Sequence, residues 1–86
     1  METIEVDMQT KTVIINGKPW KINAQAKLHY RHLVKMVFNV EKDSTEVFTV
    51  TFSGGYLDKP NGSLTEGEYV KVREGMIFNV ANTGGA

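Results

Sequence analysis

Hydrophobic residues recur at every second position early in the chain, which is the spacing of a strand with one buried face. From Thr10 the pattern predicts a strand, because the four residues at positions 12–15 are all β-branched. Asn16-Gly17 follows as a hairpin turn signal, and the partner strand is predicted over Lys18–Asn23. Pro19 has no N–H to donate to a neighbouring strand, so we expect the second strand at the edge of the sheet.

The period then changes from that of a strand to the 3.6 residues of a helix. One helix is predicted from Tyr30 to Phe38, with the apolar positions 30, 33, 34, 37 and 38 on a single face. The aromatic rings of Trp20, Tyr30 and Phe38 lie on the predicted inner faces. We therefore assign all three rings to the core and not to a stacking platform for a ligand.

Three more strands are predicted after the polar segment 39–46. In the first, over Val47–Phe52, every second residue from Phe48 faces inward. The segment Ser53–Gly67 is rich in Gly, Pro and Asn and is predicted as loop and turn, with Leu64 as its anchor in the core. Short strands are predicted over 68–72 and 76–81, separated by a turn at 73–75.

This order predicts an α+β fold in which one helix lies across one face of a mixed sheet of four to five strands, the β-grasp or ubiquitin-like arrangement. A right-handed crossover through the helix would set the third strand parallel to a neighbour. Residues 10–81 form the predicted domain. Residues 1–9 are predicted as a flexible leader, with an added edge strand as the alternative, and residues 82–86 as a flexible tail.

Composition excludes several classes of function for this chain. Ten Lys and Arg balance ten Asp and Glu in 86 residues, so no net field draws the chain to nucleic acid or to an anionic membrane, and we expect neither as a partner. Without cysteine there is no disulfide, thiolate metal site or Cys nucleophile. The first nine residues carry three acidic side chains and no signal-peptide pattern. We expect a cytoplasmic protein.

Gly84-Gly85 is the feature most informative about chemistry. Because neither residue has a Cβ, an extended tail can enter a narrow enzyme cleft and present the Gly85 carboxyl carbon to a nucleophile. Ala86 follows, so we expect a peptidase to cleave the bond between Gly85 and Ala86 first. A glycine tail without any role is the alternative.

No catalytic or cofactor site is predicted within the chain. His29 and His32 are spaced to face one ligand, but no Asp, Glu or Cys on the same helix completes a metal set. Gly54-Gly55 lacks the following helix that would cradle a phosphate, and no Ser-His-Asp set can be assembled. We therefore expect a protein that is not an enzyme and that needs no metal or cofactor.

Several segments carry a resemblance to a known family. Six segments resemble the bacterial multiubiquitin family of ubiquitin-like proteins. They are VIINGK at 13–18, the helix at 28–38, FTVTF at 48–52, PNGSLTEG at 60–67, VKV at 70–72 and GMIFNV at 75–80. The resemblance covers most of residues 10–81. The spacing of GSL, VKV and GMIFNV is its most specific part.

The resemblance implies a bacterial protein modifier that works with a ubiquitin-activating-like enzyme, a ubiquitin-conjugating-like enzyme and a metal-dependent JAB-type deconjugating peptidase. By position it implies that Gly85 forms an isopeptide bond with lysines of target proteins, with Gly84 beside it in the enzyme cleft. Asn82 and Thr83 would be the recognised approach to the diglycine. It also suggests a link to antiphage defence.

The chain departs from the family pattern in having one ubiquitin-like unit, and it lacks the arginines that precede the diglycine in eukaryotic ubiquitin. On the outer face of the sheet, Val47, Thr49 and Ile77 are the candidates for a partner patch. Two other functions remain as alternatives: a sulfur carrier that ends in a thiocarboxylate, against which Ala86 counts, and a non-covalent β-grasp interaction module.

Overall fold

The computed structural model describes residues 9–38 and 46–84. Within these residues the chain forms seven strands and one helix. In chain order they are β1 (Thr10–Ile15), β2 (Lys18–Asn23), β3 (Lys27–His29), α1 (Tyr30–Phe38), β4 (Val47–Ser53), β5 (Asn61–Leu64), β6 (Tyr69–Lys71) and β7 (Ile77–Gly84). The predicted leader up to residue 8 and most of the polar segment after the helix lie outside the described residues.

The predicted β-grasp architecture is confirmed. Five strands form one mixed sheet in the order β2-β1-β7-β4-β5, in which β1 and β7 are parallel and the other neighbours are antiparallel. β3 and β6 form a separate antiparallel pair. The helix α1 packs against β3, β4 and β7. This arrangement places β7 in the centre of the sheet, and the strand that leads to the diglycine also contributes Phe78 and Val80 to the core.

The first hairpin forms as the sequence predicts. Asn16 and Gly17 both have positive φ, at 51° and 82°, as the tight two-residue turn requires. β2 pairs only with β1, which confirms its edge position and explains how Pro19 is accommodated.

The core lies between the inner face of the large sheet, α1 and the β3–β6 pair. Fourteen apolar side chains of the described residues are buried there: Val13, Ile15, Leu28, Leu33, Val34, Phe48, Val50, Phe52, Leu64, Val70, Val72, Met76, Phe78 and Val80. The predicted inward alternation of β4 and β7 is confirmed, as is Leu64 as an anchor. No polar or charged side chain among the described residues is buried.

Two aromatic assignments to the core are wrong. Trp20 faces the inner side but remains 38% exposed, because the edge strand β2 has no neighbour on its far side. Phe38 is 40% exposed at the last residue of α1 and covers Phe48, with the two ring centroids 5.0 Å apart. Tyr30 is half-buried, and its hydroxyl donates to the Phe48 carbonyl oxygen at 3.2 Å.

Four details of the chain course also differ from the prediction. The segment predicted as loop contains β5, which pairs with the free edge of β4. β3 precedes the helix directly and was not predicted. β4 pairs antiparallel on both sides, so the third predicted strand is not parallel to a neighbour; the parallel pair is β1 with β7. β7 extends to Gly84, which puts residues 82–84 in the strand instead of in a tail.

Candidate functional site

The predicted conjugation segment begins where β7 ends. β7 pairs with β4 from Ser53–Ile77 at one end to Val47–Gly84 at the other. The register shifts between Val47 and Phe48, which pair with Gly84 and Asn82 respectively, so Thr83 is the extra residue of a β-bulge. Gly85 and Ala86 lie outside the described residues. The diglycine therefore starts at the last residue of an ordered ladder.

Side chains attach this end of β7 to the beginning of β4. The hydroxyl oxygens of Thr83 and Thr49 are 3.0 Å apart, and the Thr83 hydroxyl donates to the Val47 carbonyl oxygen at 3.5 Å. The Asn82 side-chain amide donates to the Glu46 carboxylate at 3.1 Å. Asn82 and Thr83 are both exposed, so they are held in place while remaining accessible.

Asn16 attaches the opposite edge of β7, and the sequence indicated it only as a turn residue. β1 pairs with β7 up to Phe78. Beyond that point the Asn16 side chain replaces a strand backbone: its amide donates to the Val80 carbonyl oxygen at 2.9 Å and its carbonyl oxygen accepts from the Val80 N–H at 2.7 Å. An Asn in a hairpin turn signals positive φ, but nothing in the sequence identifies its long-range partner.

The three residues predicted as a partner patch share the outer face of the sheet but do not form one cluster. Val47 and Thr49 lie beside the tail, whereas Ile77 lies at the other end of the β4–β7 ladder, opposite Ser53. Val47 is 55% exposed and Ile77 is 44% exposed. Their role as a patch stays a prediction, and Val47 and Thr49 are the members that lie nearest the tail.

The outer face near Ile77 is apolar. Ile14 pairs with Ile77 on one side and with Pro19 on the other, so three adjacent strands each place one apolar residue in the same row. Ile14 is half-buried by its neighbours.

The histidines are apart from the tail. His29 packs its ring against Tyr69, with centroids 5.3 Å apart, and His32 is exposed on α1. Among residues 9–38 and 46–84, no group of three or more His, Cys, Asp or Glu side chains is placed to hold a metal ion.

Within the described part of the chain, the Glu68 carboxylate has a shifted pKa, and it supports a turn. Hydrogen bonds from the backbone N–H and side chain of Thr65 lower the pKa of Glu68 below its ordinary value, and nearby Lys59 lowers it further. The backbone bond, from Thr65 N to Glu68 Oε1, measures 2.9 Å. The carbonyl of Glu68 in turn accepts from the first N–H of α1, that of Tyr30, at 3.1 Å.

In the described part of the chain, no helix is both long and apolar enough to cross a membrane. In a comparison with known families, the profile of the family described as Multiubiquitin matches residues 11–84. Searches of curated proteins and of solved structures found no significant match.

Proposed function

The chain belongs to the Multiubiquitin family and is a ubiquitin-like protein, and from this premise we propose that it is a protein modifier that is conjugated through Gly85. A peptidase would cleave the bond between Gly85 and Ala86. Partner enzymes would then join the new Gly85 carboxylate to lysine side chains of target proteins. The proposed setting is the bacterial cytoplasm, with an activating enzyme, a conjugating enzyme and a JAB-type peptidase as partners.

The observation that supports the proposal best is the way β7 delivers the diglycine. The strand is fixed in the sheet centre by its core residues, and its last residues are attached to β4 by Asn82 and Thr83. Gly84 ends the ladder, and Gly85 follows it directly. An enzyme that binds the outer face near Val47 would therefore find Gly84, the first glycine of the pair, at a constant position relative to that face.

The chemistry requires only the Gly85 carboxylate from this chain, whose carbon becomes the electrophile once it is activated. The Gly85 carboxylate oxygen would attack the α-phosphorus of ATP and release pyrophosphate, which gives an acyl-adenylate. A cysteine thiolate of the partner would displace AMP and form a thioester. A target lysine amine would then displace the thiolate and lose a proton as the isopeptide bond forms. Both nucleophiles that attack the acyl carbon, the cysteine thiolate and the lysine amine, belong to other proteins, so the proposed modifier needs no active site, cofactor or metal of its own.

The test is the intact mass of the protein after incubation with ATP and a soluble extract of the cells that produce it. We expect loss of Ala86 and new species in which peptide mapping finds Gly85 joined to a lysine. Gly85→Leu should abolish these species, because a side chain at that position obstructs the cleft. Ala86→Ser is the matched control. It keeps a small residue after the bond that is cleaved, so conjugates should form as they do with the wild type.

The same measurement separates the alternatives. A product in which sulfur replaces one carboxylate oxygen would make the protein a sulfur carrier. An unchanged mass in an extract that conjugates other proteins would favour a non-covalent interaction module. Conjugates formed equally well by Gly85→Leu would refute the role of this residue.

A further inference from the structure

The β3–β6 pair carries an arrangement that the tail does not explain. Leu28 and Val70 are buried, so their neighbours Lys27 and Lys71 face outward, directly opposite each other on the two strands. Like charges at directly opposite positions destabilise a strand pair. The next outward pair is His29 with Tyr69. This small sheet therefore presents a cationic and aromatic outer surface at some cost in its own stability.

A groove runs beside β6. It encloses about 530 Å³ and is lined by Tyr56, Asp58, Lys59, Tyr69, Val70 and Lys71, and we refer to it as the β6 groove. This volume is within the range of sites that bind small molecules and peptide side chains. A second cavity of about 340 Å³ shares Tyr56 and Lys71 with it and adds Lys11 and Lys27 to the lining. Four ammonium groups thus surround the two cavities, whereas Asp58 is the one acidic residue in either lining.

Two of these four lysines, Lys27 and Lys11, contact tyrosines, and the Nζ of Lys59 lies 6.0 Å from the centroid of the Phe52 ring. The Lys27 Nζ lies 4.9 Å from the centroid of the Tyr69 ring. The Lys11 Nζ donates to the Tyr56 hydroxyl at 2.9 Å, and the Arg73 guanidinium lies 5.8 Å from the centre of the same ring. Within residues 9–38 and 46–84, none of the four lysines of the two cavities forms an ion pair. The charges of Lys11, Lys27 and Lys71 remain available to an anionic partner, whereas that of Lys59 is partly offset by the nearby Glu68.

The edge of β6 that faces the groove has free backbone groups. Val72 N donates to Ala26 O, and Tyr30 N donates to Glu68 O. In an antiparallel pair the hydrogen-bonded positions alternate, so Val70 bonds to β3 while the N–H and C=O groups of Tyr69 and Lys71 point away from β3. No other backbone group of the described residues bonds to them. The free edge and the groove-lining residues of β6 therefore coincide.

We propose that the β6 groove binds an extended acidic segment of a partner protein, which adds to β6 as a third strand of the small sheet. The backbone of the segment would bond to Tyr69 and Lys71, and its carboxylates would contact Lys59, Lys71 and Lys27. The proposal does not depend on conjugation through Gly85.

A peptide fits this site better than a nucleic acid does. The free N–H and C=O groups alternate along β6 at the spacing of a strand, which a second peptide backbone matches. Tyr56 and Tyr69 already have a cation beside their rings, which leaves them less open for base stacking. The net charge of the chain is zero, so it lacks the overall positive field typical of proteins that bind nucleic acids.

The test is titration of the ¹⁵N-labelled full chain with a capped seven-residue peptide of alternating valine and glutamate. We expect the largest amide shifts at Tyr69 and Lys71. Lys59→Glu/Lys71→Glu should weaken binding at least about tenfold, because it reverses the charges that face the peptide. Lys18→Glu/Lys21→Glu is the matched control with the same change in net charge on β2, and it should bind like the wild type.

Two altered peptides keep the test decisive should the charge-reversed protein misfold. A glutamine version should bind at least about tenfold more weakly to the wild type. A version with N-methylated amides on one edge should lose the shifts at Tyr69 and Lys71, because it cannot donate to β6. Equal binding of either version, or equal weakening by the β2 control, would overturn the proposal. Tighter binding of a single-stranded oligouridylate at the same residues would assign the groove to nucleic acid instead.

Discussion

Single residues fix the strand that carries the diglycine, and Asn16 shows how. Its left-handed backbone closes the β1–β2 turn, while its side chain continues the bonding of β1 to β7 as far as Val80. Val80 is buried, so its backbone groups would lack good partners without Asn16. One side chain therefore couples the first hairpin to the segment three residues before Thr83.

We predict that Asn16→Gly lowers the free energy of unfolding by about 1–3 kcal/mol, since glycine keeps the left-handed backbone but loses both hydrogen bonds to Val80. Asn16→Ala should lose roughly 1–2 kcal/mol more, because alanine is strained at positive φ. Urea denaturation of the three proteins measures both differences. A glycine variant as stable as the wild type would show that the two hydrogen bonds contribute nothing.

Glu68 leads to a prediction about pH. Its pKa is lowered in the folded protein, first by the hydrogen bond from Thr65, so folding favours the charged form. The stabilisation is present above the unfolded pKa and is lost as the pH falls through the folded pKa. Glu68→Gln should therefore lower the melting temperature at pH 7, and the difference should shrink below about pH 4.5, the ordinary value for this group. A difference that stays constant down to pH 3 would contradict this.

At the scale of elements, the sequence predicts what local signals determine. The bounds of β2 and α1 follow from Asn16-Gly17 and from the 3.6-residue period. β5 could not be predicted, because Asn61, Gly62 and Ser63 are turn residues and become a strand only by pairing with β4. Tertiary pairing also extends β7: apolar alternation ends at Val80, whereas the bonds to β4 continue to Gly84.

The same distinction applies to the candidate site. Gly84 and Gly85 stand out in the sequence, as does their chemistry. The contacts that Glu46, Val47 and Thr49 make with this end of β7 could not be predicted, because these residues are more than thirty positions away along the chain. The free edge of β6 could not be predicted either. The sequence did not predict β3, and without β3 it is not known which edge of β6 is paired.

For the tail element, we predict that Thr83→Val makes the amides of Ala81–Gly84 exchange faster with solvent. Valine keeps the shape of threonine but removes the hydroxyl that contacts Thr49 and Val47. The global free energy of unfolding should fall by less than about 1 kcal/mol, because the site is exposed. Thr51→Val on the same outer face is the control. Equal acceleration of tail exchange in both variants would exclude a specific role of the Thr83 hydroxyl.

At the scale of the whole molecule, β7 connects the core to the tail, and its second residue, Phe78, is fully buried. Phe78→Ala should cost about 3–5 kcal/mol. A chain of this size has a total stability of roughly 4–13 kcal/mol, so this variant would lose much of it. Phe38→Ala, which removes the same ring from a site 40% exposed, should cost far less. Thermal melts of both variants compare the two sites, and similar melting temperatures would contradict the burial difference.

The two proposed sites, the β6 groove and the diglycine, lie at opposite ends of β7. The β6 groove adjoins the residues before the strand, since the Tyr56 hydroxyl donates to Val72 O and Arg73 donates to Gly55 O. The diglycine leaves the far end of β7, which is roughly 25 Å long at the rise of a strand over eight residues. Two neighbouring strands span the distance between the sites, β7 and β4, whose ladder runs from Ser53–Ile77 at one end to Val47–Gly84 at the other. The sites therefore share no residue and lie too far apart for direct contact.

We therefore predict that the two sites work independently. Lys59→Glu/Lys71→Glu should weaken binding of the acidic peptide and leave the yield of Gly85-linked conjugates unchanged, while Gly85→Leu should do the reverse. Peptide titration and intact mass are both measured on each variant. We expect the charge-reversed protein to lose only peptide binding and Gly85→Leu to lose only conjugation. If the charge-reversed protein stays folded but is no longer conjugated, an enzyme of the conjugation pathway uses the β6 groove itself, and the acidic segment that the groove binds would belong to that enzyme.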